Sequence, residues 1–378
     1  MIFDPIELLS LGVGYLFLLF LVAHLSESGL IPTKWIRNPT VYVLSLGVYV
    51  SAWGVYGIIG FAYETGYNFL AFYLGVSGAF LLAPVLLNPI LRLTKNHQLS
   101  SLADLFAFRY RSQFVGSLTT IMMVLGLLPL LALQIRAVAD TANILTQKID
   151  HNGIAIVFCV AITAFTLLFG AKPLTPQYKH DGLVIAIAVE SIVKLVMMLS
   201  VAAYALFFIF DGHAGLTEWL SNNKDAVELL YVPLKENGIW HTLIFAFLFS
   251  AVVMPFMYQM VFTENFQPRA LLTASWGLPL YLFLMAICVP IILWAGIKLE
   301  VGFSPEYFTI AIAIASKSTF LPLLVFIGGI AAASGTIVVT SLALSSMILN
   351  HLVLPLAQPS PDYNLYRWLI WVRRSLIV

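Results

Sequence analysis

Apolar runs of helix length recur along the chain at about residues 8–25, 41–63, 67–91, 114–146, 154–170, 182–210, 239–262, 271–296 and 320–356. An α-helix rises about 1.5 Å per residue, so about 20 apolar residues cross the hydrocarbon of a bilayer. The pattern predicts nine full crossings. A tenth run opens near Leu365 and the chain ends in RRSLIV, inside apolar sequence, from which a fragment of a longer protein is expected. The runs 114–146 and 320–356 are longer than one crossing, which predicts tilt or extension beyond the bilayer.

The polar stretches between runs set an orientation. With the N-terminus outside, twelve lysines and arginines, among them Lys34, Arg37, Lys172, Lys179 and Arg269, fall on the cytoplasmic side. Only Lys148, Lys224, Lys235, Lys298 and Lys317 fall on the other. Basic residues concentrate on cytoplasmic loops, so N-terminus outside is the expected topology. The opening MIFDPIELLS is acidic and lacks the basic flank of a secretory signal, which predicts a retained first span.

Composition agrees with a multi-pass membrane protein. The chain is 61% hydrophobic and 10% charged, where soluble domains carry roughly a quarter charged residues. A net charge of +1 gives no electrostatic basis for nucleic-acid binding. Cys159 and Cys288 lie inside apolar runs without CxxC spacing, and read as core residues. No nucleophile–base pair or metal cluster falls at membrane depth. His24, His97, His180, His241 and His351 lie mostly near span ends, so an enzyme is not expected.

Polar residues inside the runs carry the candidate chemistry. GGIAAASGTIVVTSLALSSMILN, Gly328–Asn350, combines small residues with hydroxyls. Small residues let helices pack closely in lipid, and hydroxyls there either bond back to the helix or face a polar cavity. A charged side chain within a span costs about 2.5–3.5 kcal/mol on insertion scales and needs a partner or a cavity. Arg136 and Asp140, and likewise Glu190 and Lys194, stand four residues apart, a spacing that puts opposite charges on one helix face. Each reads as a self-neutralising pair; alternatively one carboxylate, with Glu190 favoured, belongs to a proton relay. Asp181 opens its span as an acid favoured by the helix dipole. Gln134 needs an interhelical hydrogen bond or a substrate. Gly47, Ser51, Gly54, Gly57 and Gly60 interrupt an aromatic span, permitting close packing or local unwinding. Pro255 adds a kink.

Together LSLGVYVSAWGVYGIIG, LGVSGAFLLAPVLLNPIL, LSSLADLFAFRYRS, LPLLALQIRAVAD, KHDGLVIAIAVESIVKL, FTENFQPRALLTASWGLPLY and AAASGTIVVTSLALSSMILNHLVLP resemble the sodium:solute symporter family. More narrowly they resemble the transporter-like membrane domain of CbrA-type sensor histidine kinases. The resemblance covers nearly all of 1–378 as one membrane domain. It implies an all-α, LeuT-like inverted-repeat bundle with one extra N-terminal helix, incomplete at the C-terminus, in a bacterial-type plasma membrane. It also implies a kinase beyond this chain, and through it a response regulator as partner.

By position, the resemblance places a cation at the carbonyls of Val48 and Ser51, the Ala332 carbonyl, Gly335 and Thr336, with Asp181 near an ion exit path. The coupling ion it implies is sodium or a proton, with no organic cofactor. The pattern departs from the symporters at two places: Gly335 stands where a serine is expected, and Val50 where sodium/proline symporters carry an aspartate. Substrate contacts are implied at Ser51, Trp53, Gln134, Phe247 and Tyr258, a lining suited to a small zwitterion. For CbrA-type proteins that solute is histidine. Two functions follow as expectations, ion-coupled amino-acid transport and solute sensing without transport.

Overall fold

The computed structural model describes residues 3–147, 151–170, 180–236, 238–357 and 365–377. Lys148, Lys172 and Lys179 of the charge pattern lie outside them, as does the side chain of Lys235. The described residues form helices joined by turns, with no strand among them. In chain order these are α1 (Pro5–Glu27), α2 (Pro39–Ser45), α3 (Ile58–Thr65), α4 (Leu70–Leu81), α5 (Leu87–Asn96), α6 (Leu102–Tyr110) and α7 (Gln113–Thr146). They continue as α8 (His151–Gly170), α9 (Asp181–Tyr204), α10 (Gly212–Asn222), α11 (Lys224–Glu236), α12 (Trp240–Val253) and α13 (Pro255–Tyr258). The last are α14 (Pro268–Lys298), α15 (Phe308–Ala315), α16 (Phe320–Ile348) and α17 (Leu365–Ile377).

Helix starts follow local chemistry. Asp4 accepts a hydrogen bond from the Ile6 N–H ahead of Pro5, and Asn38 accepts one from Thr40 N–H ahead of Pro39. Each is a side-chain cap followed by proline in the first turn.

Two spans are broken. The first runs through α2 and a tight turn Leu46–Tyr49, opens at Val50, and resumes in a wide turn Trp53–Gly57 leading to α3. Val50 is extended (φ −81°, ψ 90°). Gly57 is required by the wide turn, since a Cβ there would lie 2.5 Å from the Trp53 ring. The second bent span is α12 and α13, continued by a wide turn Gln259–Thr263, with a 52° bend. Its break is Met254 (φ −67°, ψ 122°), the residue before Pro255. The proline ring pushes the preceding residue out of helical geometry, so the break sits at Met254 rather than as a kink at Pro255.

Five helices are individually long and apolar enough to cross a membrane, or seven if each bent pair counts as one span, among the described residues. The run 67–91 is not one helix. It splits into α4 and α5 around Pro84, where a helix-interior proline cannot donate its backbone bond.

α4 packs along α12 and α14, while α7 and α9 pack along α16, and α1 lies against α9. Small residues set the close approaches. A Cβ on Gly75 of α4 would lie 2.6 Å from Phe247 Cβ and 2.8 Å from the Ile244 carbonyl oxygen of α12. On α16, a Cβ on Gly328 would lie 2.7 Å from Met197 Cγ of α9, and one on Gly329 would meet the Tyr56 ring at 2.9 Å. The small-residue run of α16 therefore packs against both α9 and the first bent span.

Candidate functional site

The two breaks lie close together: the turn Leu46–Tyr49 packs against α13, and α16 packs against both. Breaking a helix frees carbonyls and N–H groups that lipid cannot satisfy. At the first break they are satisfied from three neighbouring helices. Gln134 of α7, fully buried, accepts a hydrogen bond from Ala52 N–H at 2.8 Å and donates to Leu130 O at 3.1 Å. Its amide is spent on backbone, which identifies it as a clamp on the break. Thr336 Oγ1 donates to Ala332 O at 3.1 Å and approaches Val48 O at 3.4 Å. Val48, Ala332 and Thr336 are thus brought together across α16 and the first span. Ser51 is buried at the break, its N–H donating to Tyr49 O at 3.1 Å.

Lys194 and Glu190 of α9 face the same place but do not bond to each other. Lys194 Nζ donates to Gly47 O and Val50 O, both at 2.9 Å. Glu190 Oε1 accepts from Ser334 Oγ at 2.5 Å. Gly335 makes room for this carboxylate, because a Cβ there would fall on it. In place of a self-contained pair along one helix, the two charges tie α9 to the first break and to α16. The i,i+4 spacing showed that both share a face, but not which helices that face meets.

Asp181 is not part of this group. It opens α9, ahead of Glu190 in the interior of that helix, and pairs with Arg37 at 3.2 Å. Arg136 and Asp140 do pair, at 3.3 Å, with Tyr307 Oη donating to Asp140 at 2.5 Å; Arg136 is 81% exposed. The long α7 carries that pair towards its end, so solvent and the tyrosine satisfy it.

The aromatic positions divide. Phe72 gathers Tyr49, Trp53 and Phe247 at ring separations of 4.5, 5.2 and 5.4 Å. Trp53 and Phe247 therefore share one apolar wall beside the breaks. Tyr258 is elsewhere: its hydroxyl bonds Thr94 of α5 at 2.9 Å and its ring packs on Phe262.

The residue pattern gave no sign of two histidine–carboxylate pairs near the span ends. His180 Nδ1 meets Glu264 Oε1 at 2.7 Å, His180 N–H donates to Oε2 at 3.1 Å, and Gln259 Nε2 donates to Oε1 at 2.9 Å. His351 Nε2 meets Asp104 Oδ1 at 2.7 Å, while Ser100 donates to Oδ2 through N–H and hydroxyl at 2.9 and 2.6 Å. Burial alone would raise both carboxyls, but the histidines and their other donors outweigh it and hold both below the ordinary carboxylate values. A depressed carboxyl contributes stability above its ordinary pKa and loses it as pH falls through the folded value. The melting temperature is therefore expected to fall as pH drops below about 4.5, the ordinary glutamate value. Glu264→Gln should lower it at pH 7 and flatten that acid decline. An unchanged acid profile in a scan from pH 7 to 3 would argue against the assignment.

No family model matches the chain. Among curated proteins it is similar to two from Bacillus subtilis (strain 168). It is 28% identical over 156 residues to the uncharacterized symporter YodF, covering 41% of this chain and 29% of that protein. It is 26% identical over 204 residues to the uncharacterized symporter YhjB, covering 52% of this chain and 38% of that protein. The chain thus matches well under half the length of either relative. Among solved structures it is similar to a sodium-coupled sialic acid symporter in a substrate-bound outward-open state, with a TM-score of 0.69 and 13% identity, covering 99% of this chain and 78% of that one. The paired broken spans and this likeness assign the chain the LeuT-like, inverted-repeat, all-helical fold.

Proposed function

We propose that the chain is the membrane domain of a secondary transporter, moving a small amino-acid-like solute on an ion gradient. The observation that carries this reading is the meeting of two broken spans at one place. The wall of Trp53, Phe72 and Phe247 suits an aromatic side chain beside the breaks. By resemblance to CbrA-type proteins the solute is histidine, and the coupling ion is a proton or sodium. The membrane is a bacterial-type plasma membrane, with the N-terminus outside.

Uptake of labelled histidine into proteoliposomes, driven separately by a proton and by a sodium gradient, tests the proposal. Accumulation above the equilibrium level under one gradient is the expected result. Absence of accumulation under both, with histidine still altering the activity of an attached kinase, would assign the domain to sensing.

A further inference from the structure

The cation position that the symporter resemblance implies is built from carbonyls of the first break and the Thr336 hydroxyl. In this chain a side chain is already bonded to the carbonyls on either side of Val48. Lys194 is fully buried, and its ammonium sits on Gly47 O and Val50 O at 2.9 Å each. Val48 O, between those two carbonyls in sequence, is approached by Thr336. Freed carbonyls closed off from water must meet a donor or a cation, and an ammonium supplies both at once. The negative charge that would balance it is close by: Glu190, one turn away on the same face, held by Ser334 and admitted by Gly335.

A sodium ion needs several oxygens around it at once. Here two of the first-break carbonyls are turned to Lys194, Gly335 offers no hydroxyl, and Val50 offers no carboxylate. A sodium ion on Val48 O, between the two carbonyls that Lys194 holds, would lie beside a fixed positive charge in a low-dielectric interior and be repelled. The donor set does not fit sodium while Lys194 is present.

We infer that Lys194 is the resident cation of this position, so that no sodium ion binds there and solute movement does not require external sodium. The clause on solute movement rests on the transport reading, whereas the clause on sodium binding stands without it.

The test uses the purified chain in lipid nanodiscs, unfolded by heat in sodium chloride and in choline chloride of equal strength, with radioactive sodium binding in parallel. Wild type is expected to bind no sodium and to melt at the same temperature in both salts. Lys194→Ala and Lys194→Gln empty the carbonyls of the ammonium while leaving Glu190. Both are expected to gain sodium binding and a rise of roughly 5 °C in sodium at saturation. The glutamine variant keeps a neutral donor for the carbonyls, should alanine prevent folding. Sodium binding by wild type overturns the inference, and so do folded variants that ignore sodium. If neither variant folds, the wild-type binding measurement decides alone. In proteoliposomes, histidine uptake is expected to be equal with sodium or choline outside. Uptake absent under every gradient would count against the transport reading and leave the binding result standing.

Discussion

Glu190→Ala is expected to destabilise the protein by about 3–5 kcal/mol, because it leaves the Lys194 ammonium buried without its nearby counter-charge. Lys194 makes no exposed contact that could compensate; its hydrogen bonds go to the Gly47 and Val50 carbonyls alone. Ser334 would lose its 2.5 Å acceptor as well, keeping only a long contact to Ala331 O at 3.5 Å. Thermal unfolding followed by size-exclusion chromatography reads the loss. Glu190→Gln separates the two effects, since it keeps an acceptor for Ser334 and removes the charge. If the glutamine variant melts like wild type, the carboxylate contributes shape and not charge, and the electrostatic account of α9 fails.

Gln134→Leu is the second large effect. It has nearly the same volume but no acceptor for Ala52 N–H, which is then left unpaired at the break. An orphaned buried donor costs about 1–3 kcal/mol. The expected signature is local: amide hydrogen exchange accelerates over residues 50–56, with little change in α9 or α14. Gln134→Glu retains the acceptor and is expected to protect those amides better than leucine. Equal exchange in wild type and leucine variant would show that the break is held by other contacts.

Much of this arrangement was legible in the sequence because it depends on local rules. Pro255 announces an interruption of its span, found as a break at Met254 in place of the expected kink, and the glycines around Trp53 announce an irregular first span. The small residues of α16 announce close neighbours. The neighbours themselves were not legible. Ser334 lies 144 residues from Glu190 and Glu264 lies 84 from His180, and periodicity along one helix carries no information about which helix comes to face it. The helix spacing puts the Glu190 and Lys194 charges on one face, but it does not tell which groups each bonds, Ser334 for one and the Gly47 and Val50 carbonyls for the other. Spacing also misled at 67–91, where continuous hydrophobicity concealed the turn at Pro84. The resemblance groups Tyr258 with Trp53, and the structure bonds the Tyr258 hydroxyl to Thr94 of α5.

Gly75 bears on how such a molecule can change shape. With backbone and Cβ atoms of α12 at contact distance, nothing can be inserted between α4 and α12, and neither can slide without lifting off the other. At this point α4 and α12 are packed backbone to backbone, and the contact holds the two helices in fixed register. A bulky residue at position 75 would act as a wedge, forcing α4 and α12 apart without touching any solute.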